Sequence, residues 1–219
     1  WVTETAATAV ALGARSGAEP LLLTERGGVR EYHTVFFARR DSGIRRLEDL
    51  EGHALALQSS LSTSAYLVPV TTLLAHGVKP EILSSPHDTA GPGAVGYLFA
   101  RTELNISTFV HKGVVDAGAF SNLDWDDPDS LPDAFRRDLR VIHRTAPFPR
   151  ALEVTRADLD PAVRERLRQV LLEAASDPTA RPALQRFFGT SGFFPVDAQT
   201  RRRLAELKQG LIRVRMEVE

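Results

Sequence analysis

The amino-acid sequence predicts an α/β protein with largely parallel sheets, and three observations carry that expectation. Short runs rich in β-branched and aromatic residues alternate with helical patterns along most of the chain. The 219 residues are 43% hydrophobic and 25% charged, which suits a chain that buries one large core or two small ones. No internal repeat or low-complexity linker interrupts the alternation.

Taken in order, Thr3 and Thr5 stand ahead of an alanine-rich run closed by Gly17, which reads as a strand end leading into a helix. Pro20 to Thr24 and Tyr32 to Ala38 (YHTVFFA) read as strands on either side of the Gly27-Gly28 turn. Leu47 to Leu50 makes a helical turn, Gly52 breaks the chain, and His53 to Gln58 (HALALQ) is a compact strand. The hydroxyl residues Ser62, Thr63 and Ser64 precede the apolar stretch Ala65 to Ala75, which places a helix N-terminus there. Lys79 to Ser84 reads as a strand, Gly93 to Thr108 as mostly helical, and Gly113 to Ala119 as a short strand. Asp124 to Asp129 reads as an acidic loop, with strands at Arg140 to His143 and Leu152 to Thr155. Asp160-Pro161 opens a helix with Val163, Leu167, Val170, Leu171 and Ala174 on one face. A helix over Ala198 to Lys208 follows, and the alternation of Ile212, Val214, Met216 and Val218 predicts a final half-buried strand.

Composition excludes several classes of function. A net charge of -1 and a pI near 6.7 give no general attraction for nucleic acid or an anionic membrane, so anion binding requires a local site. No run reaches the roughly 20 apolar residues of a membrane span, and the absence of cysteine removes disulfides, zinc-thiolate sites and cysteine nucleophiles together. The histidines lack metal-ligand spacing, the acidic run lacks the glycine and distal glutamate of a calcium loop, and no nucleophile elbow, P-loop or dinucleotide fingerprint occurs. No cofactor, metal site or catalytic residue is expected.

The strongest chemical feature is Leu61 to Pro69 (LSTSAYLVP), directly after the HALALQ strand. A strand, a hydroxyl-rich turn and a helix make an anion cup: unpaired amides and the positive end of the helix dipole point at one place, and hydroxyls add donors. The same three residues also read as an ordinary helix cap. Phe187, Phe188, Phe193 and Phe194 around Gly189 and Gly192 read as core packing.

Together, HALALQSSLSTSAYLVP, Tyr32 with VFFARRDSG, LEDLEG, KGVVDAGAFSN and RTAPFPR resemble, in the same order, the phosphate, phosphite and phosphonate-binding proteins of ABC transporters. The resemblance runs from Trp1 to about Val196. It implies a type II periplasmic-binding fold of two α/β lobes, with lobe I at 1–38 and 146–219 and lobe II at 39–145, and a first lobe lacking its N-terminal segment. It implies ligand contacts from Ser62, Thr63 and Ser64 and, less directly, from Thr3, Glu4, Thr5 and Tyr32. Glu103 and Asn105 resemble an acidic-asparagine pair of one branch of the family, and Glu103 or Asp116 is available to hold an amine or a protonated oxyanion. Each carboxylate also reads plainly, Glu103 as an exposed helix residue and Asp116 as a strand-end cap. Ala65 departs from the glycine of many relatives, and no residue cleanly matches a ligand-facing histidine, His87 being nearest.

The function implied is capture of a small oxyanion by lobe closure, without chemical change, for an ABC permease in the membrane. The alternative is a sensor domain of the same fold coupled to a membrane signalling protein. Either places the chain in the periplasm or outside the cell, lipid-anchored through a preceding segment in one version, with no nucleic-acid partner and no membrane insertion of its own.

Overall fold

The computed structural model describes residues 1–218. In chain order the elements are β1 (Val2–Glu4), α1 (Ala6–Ser16), β2 (Glu19–Arg26), β3 (Glu31–Tyr32), β4 (Thr34–Arg39), β5 (Ala54–Leu57), α2 (Val68–Ala75), β6 (Lys79–Ile82), β7 (Ala94–Phe99), α3 (Glu103–His111) and β8 (Ala117–Ser121). Then come α4 (Asn122–Asp126), α5 (Asp133–Arg136), β9 (Leu139–Arg144), β10 (Phe148–Pro149), β11 (Ala151–Thr155), α6 (Pro161–Ser176), α7 (Arg181–Arg186), β12 (Thr190–Phe194) and α8 (Ala198–Glu217). The chain divides into two compact units: unit 1 holds Trp1–Tyr32 and Phe148–Gln209, and unit 2 holds His33–Pro147 and the chain from Gly210 onward.

Unit 1 is built on a four-stranded antiparallel sheet in the order β1-β11-β2-β12. Leu21, Leu22, Leu171 and Phe193 form its core, with Leu167, Leu172, Ala175 and Leu184 packed against them, so one face of α6 supplies much of the apolar contact. Asp160 starts that helix by accepting from the amides of Ala162 and Val163, with Pro161 in its first turn. A buried carboxylate sits in this sheet. Glu153 is fully buried, and the β1-β11 register sets Thr3 opposite it. Its oxygens accept from Trp1 Nε1, Thr3 Oγ1 and Thr24 Oγ1, which replaces the water that burial removed.

Unit 2 carries a six-stranded sheet in the order β6-β7-β5-β8-β4-β9. The strands β6, β7, β5 and β8 run parallel, while β4 is antiparallel to both β8 and β9. Phe37, Ala56, Ile106, Val110, Phe120, Leu131 and Leu139 lie in one buried cluster under α3. Gly118 is required by this packing. A Cβ there would stand 2.6 Å from Ile106 Cγ2 and 2.7 Å from Phe37 Cζ.

Four expectations are corrected. The sheets are not largely parallel, because unit 1 is wholly antiparallel and only part of unit 2 is parallel. Gly93 to Thr108 divides into β7 and α3: the run Ala94–Phe99 is buried on both faces, and a continuous apolar run has neither the helical nor the strand period. The acidic stretch begins as a helical turn, α4, whose start is fixed by a capping box between Ser121 and Asp124. The final strand is instead part of α8, since Leu204, Leu207 and Val214 are buried at helical spacing while Ile212 and Met216 are exposed. Strand β4 belongs to the sheet of unit 2.

Candidate functional site

In unit 2 the carboxyl ends of three neighbouring parallel strands each lead into a helix start. β5 leads to the Ser62 turn, β7 to α3 and β8 to α4, and this carboxyl edge is where open α/β sheets bind ligands. Ser62 caps the turn: its Oγ accepts from Ala65 N at 3.1 Å, which leaves the hydroxyl hydrogen for a further acceptor. The turn itself, Thr63–Leu67, is a π-type turn that continues into α2, with Leu67 N bonded to Ser62 O at 3.0 Å. Thr63 and Ser64 are buried, and Thr34 Oγ1 holds the Ser64 carbonyl at 2.8 Å. The hydroxyl cluster is thus anchored from β4 beneath it.

Beside it, α3 opens with Thr102 capping Asn105 N at 3.2 Å. Burial pushes the Glu103 carboxyl above its usual value; the helix start pulls the other way and the Asp124 charge adds to the rise. Asn105 is partly committed to structure, since its Nδ2 donates to Ala100 O at 2.8 Å. Arg101, which sequence reasoning missed, stands at this edge with a left-handed φ of 74°, and its amide bonds to Gln58 O at 3.0 Å. Nothing in the sequence marks that conformation, since glycine and asparagine are its usual signals.

Asp116 does not join this group. It precedes β8, and its Oδ2 accepts from Ala54 N at 2.8 Å beside His53, at the amino end of β5. The strand separates it from the Ser62 turn, and its carboxylate caps the start of β5. His87 lies exposed after β6, its amide bonded to Ser85 Oγ.

In unit 1, Thr5 precedes α1 in an extended conformation, and its hydroxyl lies 3.2 Å from that of Thr8. The single hydroxyl hydrogen of Thr3 is donated to Glu153. Tyr32 is buried, its ring centroid 4.7 Å from that of Phe148 and 4.8 Å from the Arg150 guanidinium. Glu4, Tyr32, Arg150 and Glu153 all act electrostatically on Arg26, so unit 1 gathers Glu4 and Tyr32 around an arginine pair that the sequence did not single out.

An α/β unit with helix starts and hydroxyls at its carboxyl strand edge is an arrangement able to receive a small anion. The comparison with known families agrees. The family model described as ABC transporter, phosphonate, periplasmic substrate-binding protein matches residues 3–200, and the chain belongs to that family. Among solved structures, XAC2383 from Xanthomonas citri bound to ATP is 55% identical, with a TM-score of 0.96 over 100% of this chain and 80% of that one. The same protein bound to chloride gives 0.94 at 55% identity, over 98% and 77%. PhnD1 from Prochlorococcus marinus, in complex with methylphosphonate, shares the fold at 18% identity and a TM-score of 0.64 over 96% and 78%. PA3383 from Pseudomonas aeruginosa, a binding protein component of an ABC phosphonate transporter, does so at 20% and 0.60 over 94% and 67%. The fold is that of the type II periplasmic binding proteins. Among the described residues no helix is long and apolar enough to cross a membrane.

Proposed function

We propose that this chain captures a phosphorus oxyanion on the Ser62–Ser64 turn and delivers it to an ABC importer. The observation that carries the reading is the turn itself: a capped, hydroxyl-lined helix start at the carboxyl end of β5, flanked by the starts of α3 and α4. Ser62 supplies a free hydroxyl hydrogen, the helix start supplies a positive end, and Thr63 and Ser64 hold the turn in a desolvated setting where such donors act strongly. Glu103 on α3 meets the protonated face of a monoanion or the amine of an aminoalkyl group. On unit 1, Glu4, Thr5 and Tyr32 are further candidates for contact.

The ligand class includes the methylphosphonate held by PhnD1 and the phosphates of the ATP held by XAC2383. Both end in tetrahedral phosphorus oxygens that hydroxyl and amide donors recognise alike. The importer is the partner that family membership supports.

Titration calorimetry with methylphosphonate, phosphite, phosphate and ATP tests this reading. Wild type is expected to bind at least one of them, and Ser62→Ala/Thr63→Ala/Ser64→Ala to lose that binding about a hundredfold or more, the sum of several charge-assisted hydrogen bonds. Equal affinity in a folded triple variant would overturn the assignment.

A further inference from the structure

Unit 1 contains two cations that its own residues leave unsatisfied. Arg26 ends β2 and Arg150 immediately precedes β11, and the register pairs Thr24 with Ala151, which brings the two arginines to the same end of neighbouring strands. The Nε atoms of Arg26 and Arg150 are both shielded from solvent and have no hydrogen-bond partner. Among the described residues neither guanidinium forms an ion pair or a side-chain hydrogen bond; each is supported by an aromatic face. Arg26 stands 4.9 Å from the ring centroid of Phe188, and Arg150 stands 4.8 Å from that of Tyr32.

The surroundings hold this pair open. Phe188, with a left-handed φ of 56° just past the end of α7, is 62% exposed and keeps its ring against Arg26. Glu153, the nearest fully buried carboxylate, is already engaged by Trp1, Thr3 and Thr24. Burial, and next the charge of Arg150, pull Arg26 below its usual value, while Glu153, Tyr32 and Glu4 oppose that shift by smaller amounts. Buried unpartnered donors are rare in folded proteins, and a neighbouring like charge adds to their cost.

We propose that Arg26 and Arg150 form an anion-binding subsite within unit 1 that takes a phosphate-class oxyanion. The guanidinium fork offers paired N–H donors matched to the oxygens of a phosphate, and two forks compensate its double charge. The proposal is made of unit 1 by itself and does not rest on the Ser62–Ser64 reading.

The test uses the whole chain and inorganic phosphate as probe, with chloride as the control anion, by titration calorimetry. The Ser62→Ala/Thr63→Ala/Ser64→Ala variant is expected to retain one phosphate-binding event. Adding Arg26→Gln or Arg150→Gln to it should weaken that event about tenfold or more, as the loss of a charge-assisted contact does. Circular dichroism verifies the fold, and Arg26→Lys, which keeps the charge but loses the fork, serves if the glutamine variants unfold; it too should weaken binding. A folded triple variant that binds no phosphate, or binding unchanged by the arginine substitutions, would overturn the subsite. Loss of the event that depends on Ser62 to Ser64 bears only on the turn, so the two assignments fail separately.

Discussion

Single side chains decide two matters that polarity alone leaves open. Glu153 is an acid at the centre of a sheet, tolerable only because three donors surround it. Thr24→Val keeps the shape and removes one of them. It should destabilise the fold by about 1–3 kcal/mol, the cost of an under-bonded buried acceptor, seen as a lower urea midpoint at unchanged slope. Glu103 presents the pH-dependent case. Its folded value is raised above the unfolded one, so the folded state holds the proton more tightly. Its contribution is therefore most favourable below the unfolded carboxyl range and diminishes as pH rises through that range to the folded value. Glu103→Gln should melt with the wild type below about pH 4 and above it at about pH 7. A constant difference across that interval would show that the carboxyl does not titrate there.

Elements impose the next constraints. The Ser62 turn owes its start to a single hydroxyl, and Ser62→Ala alone should cost about 1 kcal/mol of stability through the lost cap. That figure, measured by denaturant melts, separates the structural part of the residue from its part in binding. Gly118 lies where α3 and β4 close on β8, and the space for a methyl group is already filled by Ile106 and Phe37. Gly118→Ala should destabilise by about 1–3 kcal/mol through overpacking; an unchanged melting curve would mean that α3 shifts freely over the sheet. The helix α8 is continuous through Gly210, so its circular-dichroism signal belongs to helix where the alternating sequence suggested a strand.

At the scale of the whole molecule, binding and stability are one quantity. A ligand that binds only the folded chain at a hundred times its dissociation constant adds about 2.7 kcal/mol. A thermal-shift series with phosphate, phosphite, methylphosphonate and ATP against sulfate and chloride should therefore raise the melting temperature by several degrees, about 2–4 °C per kcal/mol for a chain of this size, for phosphorus ligands above the other anions. An equal response to all of them would point to nonspecific ion effects and away from a built site.

Local chemistry carried much of this molecule. The hydroxyls before Ala65, the proline after Asp160 and the buried YHTVFFA run act through their own backbones within a few residues, so the helix starts and the main strands were legible from their neighbours. The family was carried by the resemblance of several motifs in one order, from Tyr32 to Arg150, since the hydroxyl cluster alone reads equally as a helix cap. Tertiary structure alone decided strand direction, which arises from partners far apart in sequence, as Glu153 opposite Thr3 and Leu22 illustrates. It also decided which charged groups act. Asp116 fell to the amino end of the parallel strands, Thr3 was committed to a buried acid, and Arg26 met Arg150 across a strand pair, because proximity between residues far apart in sequence is set by packing and not by local pattern.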